Sequence, residues 1–216
     1  MIIILIHGGL PLVNAFIPLH TFLDRLLPLT EDQKKRFSSL FTTTTLAKGE
    51  HLLRAGDSLS YLYFSLSGCF RLYYSTYDGK ERIKSFCAAN DFITSYTALL
   101  TGSPSQFSIQ ALQPANLLRL SYPDLLALTA EDPIWERLAR RMVEGLYVKK
   151  ERREMQLLTL SAEDRYRCFL EEFGTLDKEI PQYYIASYLG ITPVALSRIR
   201  AQWRKVQPGS DSINLS

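Results

Sequence analysis

The chain has 216 residues, 46% hydrophobic and 22% charged, with a formal net charge of +3 and a pI of about 8.7, an ordinary globular composition sufficient for one or two domains. Its three cysteines, Cys69, Cys87 and Cys168, contain no CxxC pair, which argues against a disulfide scaffold and for a reducing cytoplasm. The count alone excludes an iron–sulfur cluster held by four thiolates of one chain.

The start, "MIIILIHGGLPLVNAFIP", is apolar but is broken by Gly8, Gly9 and Pro11. A membrane-spanning helix needs about 20 continuous apolar residues, so none is expected here. No Lys or Arg precedes Arg25, so the basic region of a signal peptide is missing. Residues 1–21 are set apart as an N-terminal extension without assigned function.

From about Leu23 to Phe41 the pattern is helical, with Thr30 as an N-cap and acids preceding bases in "TEDQKKRF". From Leu46 to Leu120 the period falls to two. "YLYFSL", "CFRLYY", "ERIKSF", "FSIQAL" and "NLLRLS" read as strands. Gly49, Gly56, Gly68 and Gly79 punctuate them, and "YDGK" (Tyr77 to Lys80) is a hairpin turn. This predicts an antiparallel β-roll of jelly-roll, double-stranded β-helix type.

Ser121, with Asp124 three residues on, predicts a short capped helix. A long helical pattern follows, with Pro133 in its first turn. Its apolar stripe, Trp135, Leu138, Ala139, Met142, Val143 and Leu146, is wide enough for two neighbours. Trp135, Leu138, Met142 and Leu146 are therefore expected to serve a two-fold dimer. The run "KKERRE" marks where the helix leaves the core. Ser161 and Asp164 open another helix, which Gly174 is expected to close.

The stretch "IASYLGITPVALSRIRAQW", Ile185 to Trp203, places Ile185, Ala186 and Leu189 on one helical face. Gly190 then permits a sharp turn, and Ile191 fills its corner. Thr192 caps a second helix that has Pro193 at its first position. In that helix Leu196, Ile199 and Trp203 share one side, while Val194, Arg198, Ala201, Gln202 and Lys205 face away. This is a helix-turn-helix pattern. Between Ile180 and Val206 there are four bases and no acids, +4 against +3 for the whole chain, so the remainder sums to −1. Positive charge is concentrated where phosphate neutralisation needs it.

The order β-roll, long helix, helix-turn-helix resembles the bacterial Crp/Fnr transcription regulators. The most specific residues are "AGDSLSYLYFSLSGCFRLYYSTYDGKE" and "IPQYYIASYLGITPVALSRIR". The fold expected is α+β: a β-roll sensor at 22–130, a dimerisation helix and hinge at 131–158, and a winged-helix-like DNA-binding domain at 159–216.

The resemblance implies a cytoplasmic homodimer, not an enzyme, on a near-palindromic double-stranded DNA site, with RNA polymerase as a candidate partner and no membrane. It makes Arg198 a reader of base edges, suited to guanine O6 and N7, with Val194 and Ser197 beside it and Gln182 and Thr192 as phosphate contacts. Relatives carry Arg-Glu where Pro193-Val194 stand, so a different operator is expected. Only "QPGSDSINLS" follows the reader, which leaves little for a wing.

Cyclic-AMP-binding relatives hold ribose with a Gly-Glu pair and the cyclic phosphate with an Arg. Here Thr94-Ser95 take the first place, and Gln106 or Phe107 the second. Losing such a charge-assisted contact costs about 2–5 kcal/mol, roughly 30- to 4000-fold in affinity, so cyclic AMP is not the expected effector. An unidentified small molecule could be held by Phe86, Phe92, Thr94, Ser95, Tyr96, Gln106 and Phe107. No cofactor or metal is expected, since His7, His20 and His51 have no ligand spacing. The competing reading is a small-molecule-binding or cupin-type β-roll that uses its C-terminal helices only to dimerise.

Overall fold

A computed structural model of the chain describes residues 15–206. Helix α1 (Ile17–Leu26) and helix α2 (Glu31–Ser38) open it, so the predicted single helical stretch is two helices parted by Leu27–Thr30. Pro28 cannot donate to a continuing ladder, and Thr30 starts a new helix through a full capping box with Gln33.

Eight strands follow: β1 (Phe41–Leu46), β2 (His51–Leu53), β3 (Tyr61–Ser65), β4 (Phe70–Ser75), β5 (Glu81–Cys87), β6 (Phe92–Ile93), β7 (Ser108–Ala111) and β8 (Ala115–Ser121). Helix α3 (Tyr96–Thr101) interrupts them after β6. Two antiparallel four-stranded sheets result, in the orders β1-β8-β3-β6 and β2-β7-β4-β5. The Asp78-Gly79 turn joins β4 to β5, with Gly79 at φ +76°. At Gly68 the requirement is space as well as φ, because an added Cβ would lie 2.7 Å from Ala115 Cβ. Strands β1 and β2 and helix α3 carry little sequence signal: "FTTTTL" lacks apolar alternation and "HLL" is too short to show any.

Alternation along β3 and β8 produces two cores. Leu62, Phe64, Leu118 and Leu120 face α1, α2 and helix α4 (Tyr122–Thr129), where they meet Leu19, Leu23, Phe37 and Leu128. Tyr63 and Leu117 face the other sheet, meeting Phe70, Leu72 and Ile109. One residue of slip would exchange the two sets, so the register is tightly specified.

Helix α5 (Pro133–Thr159) is followed by helix α6 (Ala162–Phe173), a 3₁₀ turn (Gly174–Asp177), helix α7 (Gln182–Leu189) and helix α8 (Pro193–Val206). Gly174 does not close α6 in a left-handed cap: at φ −54° it stays right-handed and leads into the 3₁₀ turn. The chain divides into two compact units between Lys149 and Lys150, inside α5 rather than at either of its ends. No described helix is long and apolar enough to cross a membrane.

Candidate nucleic-acid interface

In the second unit, α6, α7 and α8 share one core. Ile185, Ala186, Leu189 and Leu196 are fully buried, and Phe169 and Phe173 lie 5.9 Å from the Tyr188 ring. Helix α7 ends in a Schellman motif. Gly190 takes φ +70°, its N–H bonds Ser187 O (3.1 Å), and the N–H of Ile191 bonds Ala186 O (3.0 Å). Two residues on, Thr192 Oγ1 accepts from Ala195 N–H (3.2 Å), and Pro193 begins α8. The tight turn between the helices is therefore built entirely by local chemistry.

That turn decides what α8 shows to solvent. Val194 is 61% exposed, and Ser197, Arg198 and Gln202 are exposed with it. Gln182, at the first position of α7, and the capping Thr192 are exposed as well. The Lys205 side chain lies outside the described residues. At 14 residues α8 is about 21 Å long, and a helix of this diameter enters a major groove about 12 Å wide.

Arg200 does not belong to the outward face. Its guanidinium is mostly buried, bonding Asp177 Oδ1 (2.5 Å) and Tyr166 Oη (3.0 Å). Burial works against its charge, but the Tyr166 and Asp177 bonds outweigh it and raise its pKa. The concentration of positive charge in the segment is thus one unit weaker at the surface than the sequence count implies. The signal was present: Leu196, Ile199, Arg200 and Trp203 follow the i, i+3, i+4, i+7 pattern of an inward stripe.

Two further arginines were hidden in the polar stretches. Arg153 donates to the carbonyl of Tyr188, with its guanidinium carbon 3.7 Å from the Tyr188 ring centroid. Arg165 donates to Leu189 O (2.9 Å) and Leu160 O (2.7 Å). Both satisfy carbonyls at the end of α7 that lack helical partners, where the helix dipole favours cations. Burial lowers the pKa of Arg153, so that contact holds a costly charge in place.

In the first unit the seven candidate pocket residues do not line one cavity. Phe92 turns to the helix side, 5.3 Å from the Phe22 ring and 5.1 Å from Phe64. Phe107 turns into the space between the sheets, 5.7 Å from Tyr74. Phe86 and Ser95 are buried, Thr94 donates to Tyr61 O (3.3 Å), and Gln106 is exposed. Tyr96 sits instead in an open groove of about 640 Å³ against Ala139, Val143 and Tyr147 of α5. Neighbouring residues in a short strand and a one-turn helix point in diverging directions, which a linear reading of the segment cannot show.

Known proteins share this architecture. Residues 43–132 match the family model for the cyclic nucleotide-binding domain. The fumarate and nitrate reduction regulatory protein of Vibrio cholerae is 27% identical, over 74% of this chain and 68% of that protein. The chain is thus similar, over most of its length, to regulators of the Crp/Fnr type.

Among solved structures, FixK2 from Bradyrhizobium japonicum superposes with a TM-score of 0.68 at 21% identity, covering 80% of this chain and 89% of that one. The c-di-GMP-responsive regulator CLP of Xanthomonas campestris gives 0.64 at 15% identity, over 82% and 93%. Both the Vibrio cholerae protein and CLP are regulators by name. Among the described residues no group of three His, Cys, Asp or Glu is placed to hold a metal ion.

The α5 stripe needs correction. Trp135 is 4% exposed and stacks on Phe37 at 6.0 Å, and Leu138 is 1% exposed in the same helix-side core. Both are spent on the roll itself and have no surface to give a second copy. Met142 is partly buried against that core, whereas Leu146 is 37% exposed.

Proposed function

We propose that this protein is a cytoplasmic, sequence-specific DNA-binding regulator of the Crp/Fnr type that acts as a homodimer on a near-palindromic operator. Helix α8 reads the major groove. The observation that carries this reading is the division of α8 into two sides, one anchored by Leu196, Ile199 and the Arg200–Asp177 pair, the other offering Val194, Ser197, Arg198 and Gln202. Arg198 pairs with guanine O6 and N7, and Val194 supplies apolar contact of the kind a thymine methyl accepts. Gln182 and Thr192 fix register on phosphates, with Lys205 as a further contact. In a two-fold dimer, successive half-sites lie about 34–36 Å apart.

The dimer seam uses the stripe that the roll leaves open. Ala139, Val143 and Tyr147 follow at i, i+4 and i+8 along α5, and Tyr147 is 66% exposed, with Leu146 alongside. Residues 22–130 act as the sensor, 131–158 as dimerisation helix and hinge, and 159–216 as reader, with RNA polymerase as the partner once DNA is bound. Cyclic AMP is not the effector, because Thr94-Ser95 and Gln106-Phe107 supply neither the carboxylate nor the cation that its ribose and phosphate need.

An electrophoretic mobility experiment on an operator selected from random duplexes tests the reading. Arg198→Ala should lose about 1–3 kcal/mol of discrimination, roughly 5- to 150-fold, while the circular dichroism spectrum and dimer mass stay unchanged. Equal specific binding by wild type and variant would remove α8 from the role of reader.

A further inference from the structure

On β8, Arg119 lies in register with Thr42 of β1 and Tyr63 of β3. Its neighbours Leu118 and Leu120 face the helices, whereas Leu117 and Tyr63, on its own side of the strand, lie between the sheets. A cation thus occupies an intersheet position where alternation calls for an apolar residue. It is partly buried, its Nε donates to Thr42 Oγ1 (3.4 Å), and its guanidinium carbon lies 4.7 Å from the Tyr61 ring centroid. Arg71 and Arg200, whose side chains are also buried, are neutralised by Glu81 and Asp177. For Arg119 no ion pair occurs among the described residues, and its two terminal nitrogens donate to no described group.

The facing sheet brings aromatic surface to the same end. Residues 112–114 lead from β7 of that sheet into β8, and Phe107 stands just ahead of β7. Phe107 belongs to the same intersheet cluster as Tyr61 and Tyr63. Its ring lies 5.7 Å from that of Tyr74, and Lys84 Nζ is 3.8 Å from its centroid.

A partly desolvated guanidinium with a free fork favours a bidentate carboxylate or phosphate, and rings beside it favour a planar body. The geometry points to a site for a small aromatic anion, a carboxylate or a phosphate monoester, with its charged group on Arg119 and its ring beside Tyr61 and Phe107. Burial pushes the Tyr63 hydroxyl pKa up and the Arg119 charge opposes the shift, consistent with a positive centre at this end of the roll. The inference rests on the roll being a sensor, and it moves the effector away from Thr94, Ser95 and Gln106.

Thermal unfolding of the full chain, without DNA, tests it with benzoate, phenyl phosphate and neutral benzamide. At about ten times its Kd, a bound anion should raise Tm by about 3–6 °C, benzamide should not, and Arg119→Met should abolish the rise while Arg82→Met, at an exposed position, keeps it. In the wild type, the same anion should protect Arg119 from phenylglyoxal, read by peptide mass, which keeps the test valid if the variant fails to fold. A response to benzoate alone assigns a carboxylate ligand, and a response to phenyl phosphate alone a phosphate. No shift with either anion, an equal shift with benzamide, a shift that survives Arg119→Met, or unprotected Arg119 would overturn the site. Each of these results is independent of operator binding, so failure here leaves the reader assignment standing.

Discussion

In the proposed reader, the candidate functional face is a surface property of one 14-residue helix, and the core beneath it is made by residues within about 40 positions of each other. In the roll, the corresponding chemistry depends on which residues of strands distant in sequence come level with one another. Arg71 illustrates this: it is satisfied by Gln110, 39 positions away, and by Glu81. A surface helix can therefore change its outward residues without disturbing its scaffold. An intersheet position such as Arg119 is tied to its register, and altering it alters packing and ligand chemistry together.

The two tryptophans make that contrast measurable, since Trp135 lies in the first unit and Trp203 in the second. The largest expected effect is from Leu196→Ala, which empties a fully buried position of the reader. It should cost about 2–5 kcal/mol, seen as an earlier denaturant transition of Trp203 fluorescence in a Trp135→Phe background. An unchanged Trp203 transition would break the picture of a reader with its own core.

Asp177→Asn should cost about 1–3 kcal/mol in the same transition, because it leaves Arg200 without its counter-charge. It should also leave operator discrimination intact, which separates the inward arginine of α8 from the outward one. In the roll, Thr30→Ala removes both bonds of the capping box and should lower stability by about 1 kcal/mol in the Trp135 transition.

The smallest effect expected is on pH. Burial lowers the pKa of His51 and of His20, with Arg54 and Arg71 adding to it at the first and Lys34 at the second. The unfolded chain therefore binds these protons more readily than the folded one. Stability is fully present above the ordinary value of 6.5 and declines as pH falls through it toward the lowered folded values. His51→Gln should flatten part of that decline in the Trp135 transition while Trp203 stays unaffected.

Much of this was legible in the sequence, for a physical reason. The Thr30, Ser121, Ser161 and Thr192 caps and the Gly190 turn are decided by residues within a few positions, and each forms as expected. Strands β3, β4, β5, β7 and β8 fall on the five runs read as strands, whereas the two-residue β6 carries no such run. What local pattern could not supply was partnership. Trp135 and Leu138 look like an interface stripe until Phe37 is found stacked on Trp135. The residues around Thr94 look like a pocket until β6 and α3 turn them apart. Arg119 looks like an ordinary strand residue in "NLLRLS" until its register places it between the sheets.

The most direct test of α8 as the reader is a double-mutant cycle between Arg198 and the operator. Each guanine of a selected half-site is replaced by 7-deazaguanine, which lacks the N7 acceptor, and binding is measured by fluorescence anisotropy at fixed salt for wild type and Arg198→Ala. One guanine in each half-site should weaken wild-type binding about 5- to 150-fold and leave the variant indifferent. If every replacement weakened both proteins equally, Arg198 would not be touching a base, and the central assignment would be wrong.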